Sequence, residues 1–249
     1  MTVALFGGVA AEFGGVEAEF GAAEVNYMSS IKVDFGVPGE TTPSPWNNVT
    51  DVSEGVKVAD LLDDSAANTG ASLEFDLGDW STVTDQSVAT SVRDWPTTAT
   101  TDFINTSNST DPGRRIILDF SAADPLFIGT ELTFYIWGGT TATGTGRDGT
   151  FTIKDSSGVE ITSGTHDAAS SGIAPPLELT ASVPADGILW IDVIKESGDT
   201  AAYLSGIEIG YTLSPAGAPT LTRQYRYSHP LTGKKSTNKH TSPLIRTRK

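Results

Sequence analysis

A chain of 249 residues is long enough for one large all-β domain or two small ones. It has no cysteine, which excludes a disulfide framework, a zinc–thiolate site and a cysteine nucleophile. Its formal charge is −15, and no segment reaches the roughly 18 apolar residues that a membrane-spanning helix needs.

The first 27 residues repeat a seven-residue pattern that carries an aromatic residue at Phe6, Phe13, Phe20 and Tyr27. A coiled coil has this period, but the segment contains five glycines that cost about 1 kcal/mol each in a helix. A meander of five-residue strands fits better, because Gly-Gly suits hairpin turns with positive φ. The same strands contributed by several subunits, or a low-complexity leader, are the alternatives.

The meander predicts a register in which each aromatic residue faces a small apolar one across the turn: Phe6 with Val9, Phe13 with Val16, and Phe20 with Ala23. Such a segment buries little by itself, so we expect it to need a partner surface. Glu12, Glu17 and Glu19 interrupt its apolar residues and no basic segment precedes them, so no secretory signal is expected.

A β-rich domain is predicted over residues 31–213, after an N-terminal arm of residues 1–30 that ends in a short joint, Met28 to Ser30. Short alternating runs separated by turn residues predict its strands: Ile31–Phe35, Ser72–Leu77, Arg115–Phe120, Glu131–Trp137, Thr150–Lys154, Val159–Thr162, Leu177–Val183, Ile188–Ile194 and Ala202–Leu213. The residues Asp155 to Gly158, between the predicted strands Thr150–Lys154 and Val159–Thr162, predict a hairpin loop with a left-handed glycine. Val56–Asp64 is expected to form a turn of helix at most.

Two strands have clearly different faces. Leu132, Phe134 and Ile136 alternate with Thr133, Tyr135 and Trp137, and Leu189, Ile191 and Val193 alternate with Trp190 and Asp192. The aliphatic faces predict the core between two sheets. The faces with aromatic and polar side chains predict contact with a covering loop, a neighbouring subunit or a ligand.

Five segments resemble the galactose-binding-like, or malectin-like, jelly rolls of bacterial extracellular proteins. They are Lys32-Val-Asp-Phe-Gly36, Pro45-Trp-Asn-Asn-Val49, Leu132-Thr-Phe-Tyr-Ile136, Pro184-Ala-Asp-Gly-Ile188 and Tyr203-Leu-Ser-Gly-Ile-Glu-Ile209. The resemblance covers roughly residues 31–213 and implies a single antiparallel β-sandwich. It implies no particular ligand, because this fold carries many functions.

Residues 214–249 form a basic C-terminal arm with few apolar residues, which we expect to be extended and unfolded when alone. From Arg223 onward there are eight basic residues and no acidic one, whereas the preceding 222 residues hold 8 basic and 31 acidic residues, a balance of −23. The predicted assembly interface combines both arms: Phe6, Phe13, Phe20, Tyr27, Arg223, Tyr225, Arg226, Tyr227, Lys234, Lys235, Arg246 and Arg248. Cations beside tyrosines also fit a nucleic-acid-binding arm, but the acidic body would repel a polyanion.

No catalytic constellation is evident, so we expect no enzyme and no cofactor. His166 is followed by Asp167 in a loop rich in Ser, Gly and Ala, and without catalytic geometry it is predicted to be a surface-loop residue. Four residues could supply oxygen ligands to Ca²⁺: Asp63, Asp64, Asn68 and Asp155. They lack the spacing of known calcium-binding loops, so we expect no metal site. Sugar contact by loop tryptophans is the remaining chemistry, with Trp46, Trp80 and Trp95 as candidates, although core or interface roles rank ahead.

These patterns lead to two hypotheses. The first is a structural component of a bacteriophage virion, a capsid-associated or decoration protein that forms homo-oligomers such as trimers. Its arms would hold it to copies of itself and other virion proteins, without membrane or nucleic-acid contact. The alternative is a carbohydrate-binding module that recognises a surface glycan, as in a tail or head fibre.

Overall fold

The computed structural model describes residues 12–13, 16–17, 27–38, 41–77, 80–83, 95–96, 98–101, 103–110, 113–138, 148–168, 175–199 and 201–213. The chain divides into two units, Met1–Ala216 and Gly217–Lys249, and every described residue belongs to the first. No helix in these ranges is long and apolar enough to cross a membrane.

The described secondary structure is almost entirely β, which confirms the predicted class. The strands in chain order are β1 (Glu12–Phe13), β2 (Val16–Glu17), β3 (Tyr27–Phe35), β4 (Asn47–Val49), β5 (Lys57–Val58), β6 (Ser72–Asp76), β7 (Ser81–Val83), β8 (Phe103–Thr106), β9 (Arg114–Asp119), β10 (Glu131–Trp137), β11 (Gly149–Asp155), β12 (Glu160–His166), β13 (Leu177–Ser182), β14 (Ile188–Lys195), β15 (Ala202–Leu204) and β16 (Gly206–Leu213). Two short helical segments, Thr98–Thr101 and Pro125–Phe127, accompany them.

Two large sheets form a jelly-roll-like sandwich. The five-stranded sheet has the order β13–β10–β16–β3–β4, and the six-stranded sheet has the order β12–β11–β14–β9–β6–β5. Their pairs are antiparallel except β3–β4, and from β10 onward the chain crosses repeatedly between the sheets. A small third sheet contains β15, β8 and β7.

The core lies where the predicted aliphatic faces meet. Leu132, Phe134 and Ile136 of β10 are fully buried, as are Leu189, Ile191 and Val193 of β14. At one side the edge strands β12 and β13 pack together, and Gly164 allows this approach because a Cβ there would lie 2.8 Å from Leu177 Cδ1. The alternation in the sequence therefore identified the inner faces of both sheets correctly.

The hairpin between β11 and β12 has the predicted turn. Gly158 has a φ of +85°, the left-handed region that favours glycine. The Asp155 carboxylate accepts hydrogen bonds from the Ser157 hydroxyl and from the backbone N–H groups of Ser157 and Val159. The Ser157 hydroxyl, followed by these backbone donors, lowers the pKa of Asp155.

Several local expectations are wrong. Met28 to Ser30 is not a joint but part of β3, because it continues the pairing with β16. Val56–Asp64 was expected to hold one turn of helix at most and contains none; the strand within it, Lys57–Val58, which pairs with β6, was missed. The last predicted strand is interrupted at Ser205, whose N–H donates to the Trp137 carbonyl. The short strands β4, β7 and β8 were missed.

The predicted register of the repeat is confirmed where it is described. β1 and β2 pair in antiparallel fashion, with Phe13 opposite Val16. The pairs Phe6–Val9 and Phe20–Ala23 lie outside the described residues, as does the whole C-terminal arm. β3 starts at Tyr27 and β16 ends at Leu213, and these two residues are partners in the register. Both arms therefore join the sandwich at neighbouring positions on one end of the five-stranded sheet.

Candidate functional site

The outer face of the five-stranded sheet carries an open groove of about 600 Å³. Three neighbouring strands, β10, β16 and β3, supply its floor in two rows that follow from the register: Tyr135–Glu208–Lys32 and Thr133–Gly210–Ser30. Glu131, Thr212 and Met28 extend the floor toward the arm junctions. This face is the one that the sequence predicted to carry aromatic and polar side chains.

Gly210 makes the centre of the groove hollow. It has no side chain, and a Cβ built there would lie no closer than 3.8 Å to any atom, the Thr133 carbonyl oxygen being the nearest. Glycine is therefore not required for backbone conformation or for packing at this position. Its effect is to leave open space beside the half-buried Tyr135 ring.

An aromatic cluster of Trp46, Trp95 and Trp137, with half-buried Tyr135 against it, closes one end of the groove. The rings of Trp46 and Trp95 meet edge to face at 5.2 Å. Trp95 Nε1–H donates to the Glu208 carboxylate at 2.8 Å, and Lys32 Nζ lies 6.0 Å from the Trp46 ring centre. The loops that bring Trp46 and Trp95 onto the sheet thus cover part of its outer face and orient the charged pair of the groove.

The opposite end of the groove lies beside the arm junctions. Ser29 donates to Asp64 at 2.5 Å, next to buried Tyr211, and Met28 is 85% exposed. Burial raises the pKa of the Tyr211 phenol. Partial burial raises the pKa of Asp63, but hydrogen bonds from Ser65, Ala67 and Ser29 outweigh that effect and lower it overall. This end is therefore acidic, with one exposed apolar side chain.

The three tryptophans predicted as sugar contacts are buried. The exposed fractions are 7% for Trp46, 5% for Trp80 and 4% for Trp95. Trp80 packs edge to face on Phe75 in the main core, away from the cluster that contains the other two. Their placement matches the core roles that ranked ahead in the sequence, and it offers a ligand little ring surface. A loop tryptophan carries no sequence signal that separates these two outcomes.

His166 is not the surface-loop residue that the sequence predicted. It ends β12, its side chain is buried, and Nε2–H donates to the Gly138 carbonyl at 2.9 Å. Burial lowers the pKa of His166 because it disfavours the charged ring. The side chain thus provides a hydrogen-bond donor to a backbone carbonyl, and it is not among the residues that line the groove.

Four carboxylates meet at the ends of β11 and β14. Partial burial, then Asp167, Asp199 and Glu196, raise the pKa of Asp148 to about 6. Among the described residues, no group of three or more His, Asp or Glu side chains has the geometry to hold a metal ion. Three of the possible calcium ligands, Asp63, Asn68 and Asp155, instead accept hydrogen bonds from backbone N–H groups of their own turns.

These features define a jelly-roll-like β-sandwich with one partly open sheet face, the fold that the galactose-binding-like resemblance implies. No protein-family model and no curated protein matches the sequence.

Two solved structures are similar over part of the chain. One is the structure of CBM51-2 in complex with GlcNAc and INT domains from Clostridium perfringens ZmpB, with 9% identity over 67% of this chain and a TM-score of 0.31. The other is Bacteroides uniformis beta-glucuronidase 2 covalently bound to cyclophellitol-6-carboxylate aziridine, with 13% identity over 66% of this chain and a TM-score of 0.34. The chain spans 33% of the first structure and 19% of the second. Similarity at this level carries no argument about ligand or activity.

Proposed function

We propose that this protein is a structural subunit of a larger particle, of the kind found in bacteriophage virions, and that its two arms attach it to neighbouring subunits. The observation that carries the proposal is the pairing of Tyr27 with Leu213. Because these residues are partners, the N-terminal segment and the C-terminal arm originate side by side. Two attachment segments at one end leave the rest of the sandwich free to project outward.

The charges of the two segments support attachment between copies. Residues 1–26 contain four acidic residues and no basic ones, and residues 214–249 contain eight basic residues and no acidic ones. Opposite charges attract, and they act over about 8–10 Å at ordinary salt concentrations. A basic arm would find its complement on the acidic segment or acidic body of a neighbouring copy.

The repeat supports the same role. β1 and β2 pair through only two residues of each strand, and an isolated two-stranded ribbon has marginal stability in water. A further strand or an apolar surface would stabilise it, and neighbouring subunits would supply either one. We therefore assign the aromatic residues Phe6, Phe13 and Phe20, together with the basic arm, to subunit contacts.

Light scattering coupled to size-exclusion chromatography tests this function on the full chain. We expect an oligomer that dissociates when Arg223, Arg226, Lys234 and Lys235 are replaced by glutamate. The matched control exchanges arginine and lysine at the same four positions, which keeps the charge and should keep the oligomer. A full chain that stays monomeric at every concentration contradicts the proposal. Its absence from purified virions, measured by mass spectrometry, contradicts the virion assignment specifically.

Recognition of a glycan is the second candidate function, and one observation favours it. The groove on the five-stranded sheet is open, polar and within the size range of ligand sites, about 300–1,000 Å³. A particle subunit that projects from a surface could use such a groove to contact a host glycan. A glycan array with the full chain tests this function directly.

A further inference from the structure

We infer that the groove on the outer face of the five-stranded sheet binds a neutral saccharide, with Gly210 as its floor and Lys32, Thr133 and Tyr135 as its contacts. This inference rests on the second proposed function and gives it a location and a ligand chemistry. It also moves sugar binding away from the three tryptophans, whose rings are buried.

The topology restricts how a ligand can bind here. β10 and β16 each have a hydrogen-bonded strand on both sides, whereas β3 pairs with β4 only at Val33–Phe35. Beside the groove, the outer side of β3 is bonded by loop residues instead: Asp64 N–H donates to the Ser30 carbonyl, and Asn47 Nδ2 donates to the Lys32 carbonyl. A peptide cannot be added as another strand at this place, since that mode needs a free sheet edge. The ligand must instead be recognised by side chains that stand up from the sheet. A compact molecule dense in hydroxyl groups suits such a surface.

The side chains present both kinds of hydrogen-bonding group in a small area. Lys32 donates, and the Thr133 hydroxyl both donates and accepts. Glu208 is buried and accepts from Trp95, so its carboxylate contributes charge beside Lys32. Lys32 and Glu208 are partners in the register, and Tyr135 is the partner of Glu208 on the other side. The Tyr135 ring adds an apolar wall with a polar tip. A sugar ring has hydroxyl groups and an apolar face. The polar side chains would bond the hydroxyl groups, and the Tyr135 ring would pack on the apolar face.

The electrostatics select against acidic ligands. The groove is lined by one cation, Lys32, and by three carboxylates, those of Asp64, Glu131 and Glu208. Phosphate groups, nucleic acid and sialylated or uronic sugars would meet a net negative surface, and like charges oppose binding. A neutral saccharide avoids this repulsion.

Gly210 provides the decisive variant. A Cβ at Gly210 lies at ordinary van der Waals distance from its neighbours, and β-branched residues favour strands, so Gly210→Val should preserve the fold while filling the floor. Lys32→Met removes the donor and keeps the length of the stem. Thr180→Val is the control, because Thr180 is exposed on β13, opposite Thr133, and does not line the groove.

The probe is an array of neutral and sialylated oligosaccharides applied to the full chain, followed by calorimetric titration of the best neutral glycan. We expect saturable binding of a neutral glycan that weakens by about tenfold or more in Gly210→Val and Lys32→Met, with unchanged melting temperature and unchanged binding in Thr180→Val. Preference for sialylated glycans would overturn the inference, as would an altered oligomer in Gly210→Val, which would make the groove a subunit contact. A neutral glycan that binds both groove variants normally would overturn the location and leave glycan recognition standing. If no glycan binds, both are overturned.

Discussion

Asp192 is the residue whose removal should destabilise the sandwich most clearly without touching the hydrophobic core. It lies on the outer face of the six-stranded sheet, where its side chain is only 3% exposed. Arg115 donates to both carboxylate oxygens, from Nε at 2.6 Å and from Nη2 at 3.0 Å, and Lys154 Nζ lies at 2.9 Å. One carboxylate therefore joins two cations from the strands on either side of β14.

Asp192→Ala leaves these two cations close together without their common anion. Their side chains are each 12% exposed, so water cannot replace the lost carboxylate fully. Removing one partner of a buried ion pair costs about 3–5 kcal/mol. We expect a value near 3 kcal/mol, because Arg115 keeps its contact with Asp76 and its position 3.8 Å from the Trp190 ring centre. For a chain of this size, that corresponds to a fall in melting temperature of about 6–12 °C.

Urea unfolding of the full chain, followed by tryptophan fluorescence, measures this loss. The control is Lys57→Ala, which breaks the Lys57–Asp119 pair at 3.3 Å, where the Lys57 side chain is 46% exposed. An exposed pair of this kind contributes less than about 1 kcal/mol. Equal losses for the two variants would refute the reasoning, because burial would then have no effect on the strength of the ion pair.

Three further variants test separate features. Asp148→Asn should stabilise the protein by up to about 1 kcal/mol at pH 7, since partial exposure screens the repulsion around Asp148, whose pKa is raised to about 6. The ionised side chain destabilises the fold above that pH, so the gain should disappear as the pH falls from 6 toward 4 in thermal melts, and a gain that persisted at pH 4 would contradict the repulsion. Gly164→Val should cost about 1–3 kcal/mol in urea unfolding because the new side chain meets Leu177, and a neutral result would contradict the close packing of β12 on β13. Trp95→Phe removes the donor to buried Glu208, and a loss of about 1.5–3 kcal/mol is expected from the same measurement; no loss would show that the bond is not formed.

Strands with sustained alternation could be predicted from the sequence almost to the residue. β10 has the predicted bounds, Glu131–Trp137, because inward Leu132, Phe134 and Ile136 are apolar and alternate with outward residues that are larger or more polar. β4, β5 and β7 contain three residues or fewer, too few to show a period, and they exist because longer strands lie beside them. Their positions follow from tertiary contacts that no local pattern records.

The groove could be predicted only in part. The outward face of β10 was recognised as a contact surface, but Lys32, Tyr135 and Glu208 are far apart in sequence and meet through the register of β3, β16 and β10. One local signal was present. A glycine inside a strand often marks close approach by another group, and Gly210 lies in the middle of β16.

The groove and the arm junctions lie close together. A substitution that tests glycan binding must therefore be chosen so that it does not also disturb subunit contact. Met28 lines the groove and directly follows Tyr27, so substituting it would disturb glycan contact and subunit contact together. Gly210 is three residues from Leu213, about 10 Å along the strand. It lines the groove and does not adjoin the arm junction. A change at Gly210 that altered the oligomer would therefore assign the sheet face to a neighbouring subunit. A change that altered only glycan binding would leave the arms as the attachment and the sheet face as the recognition surface.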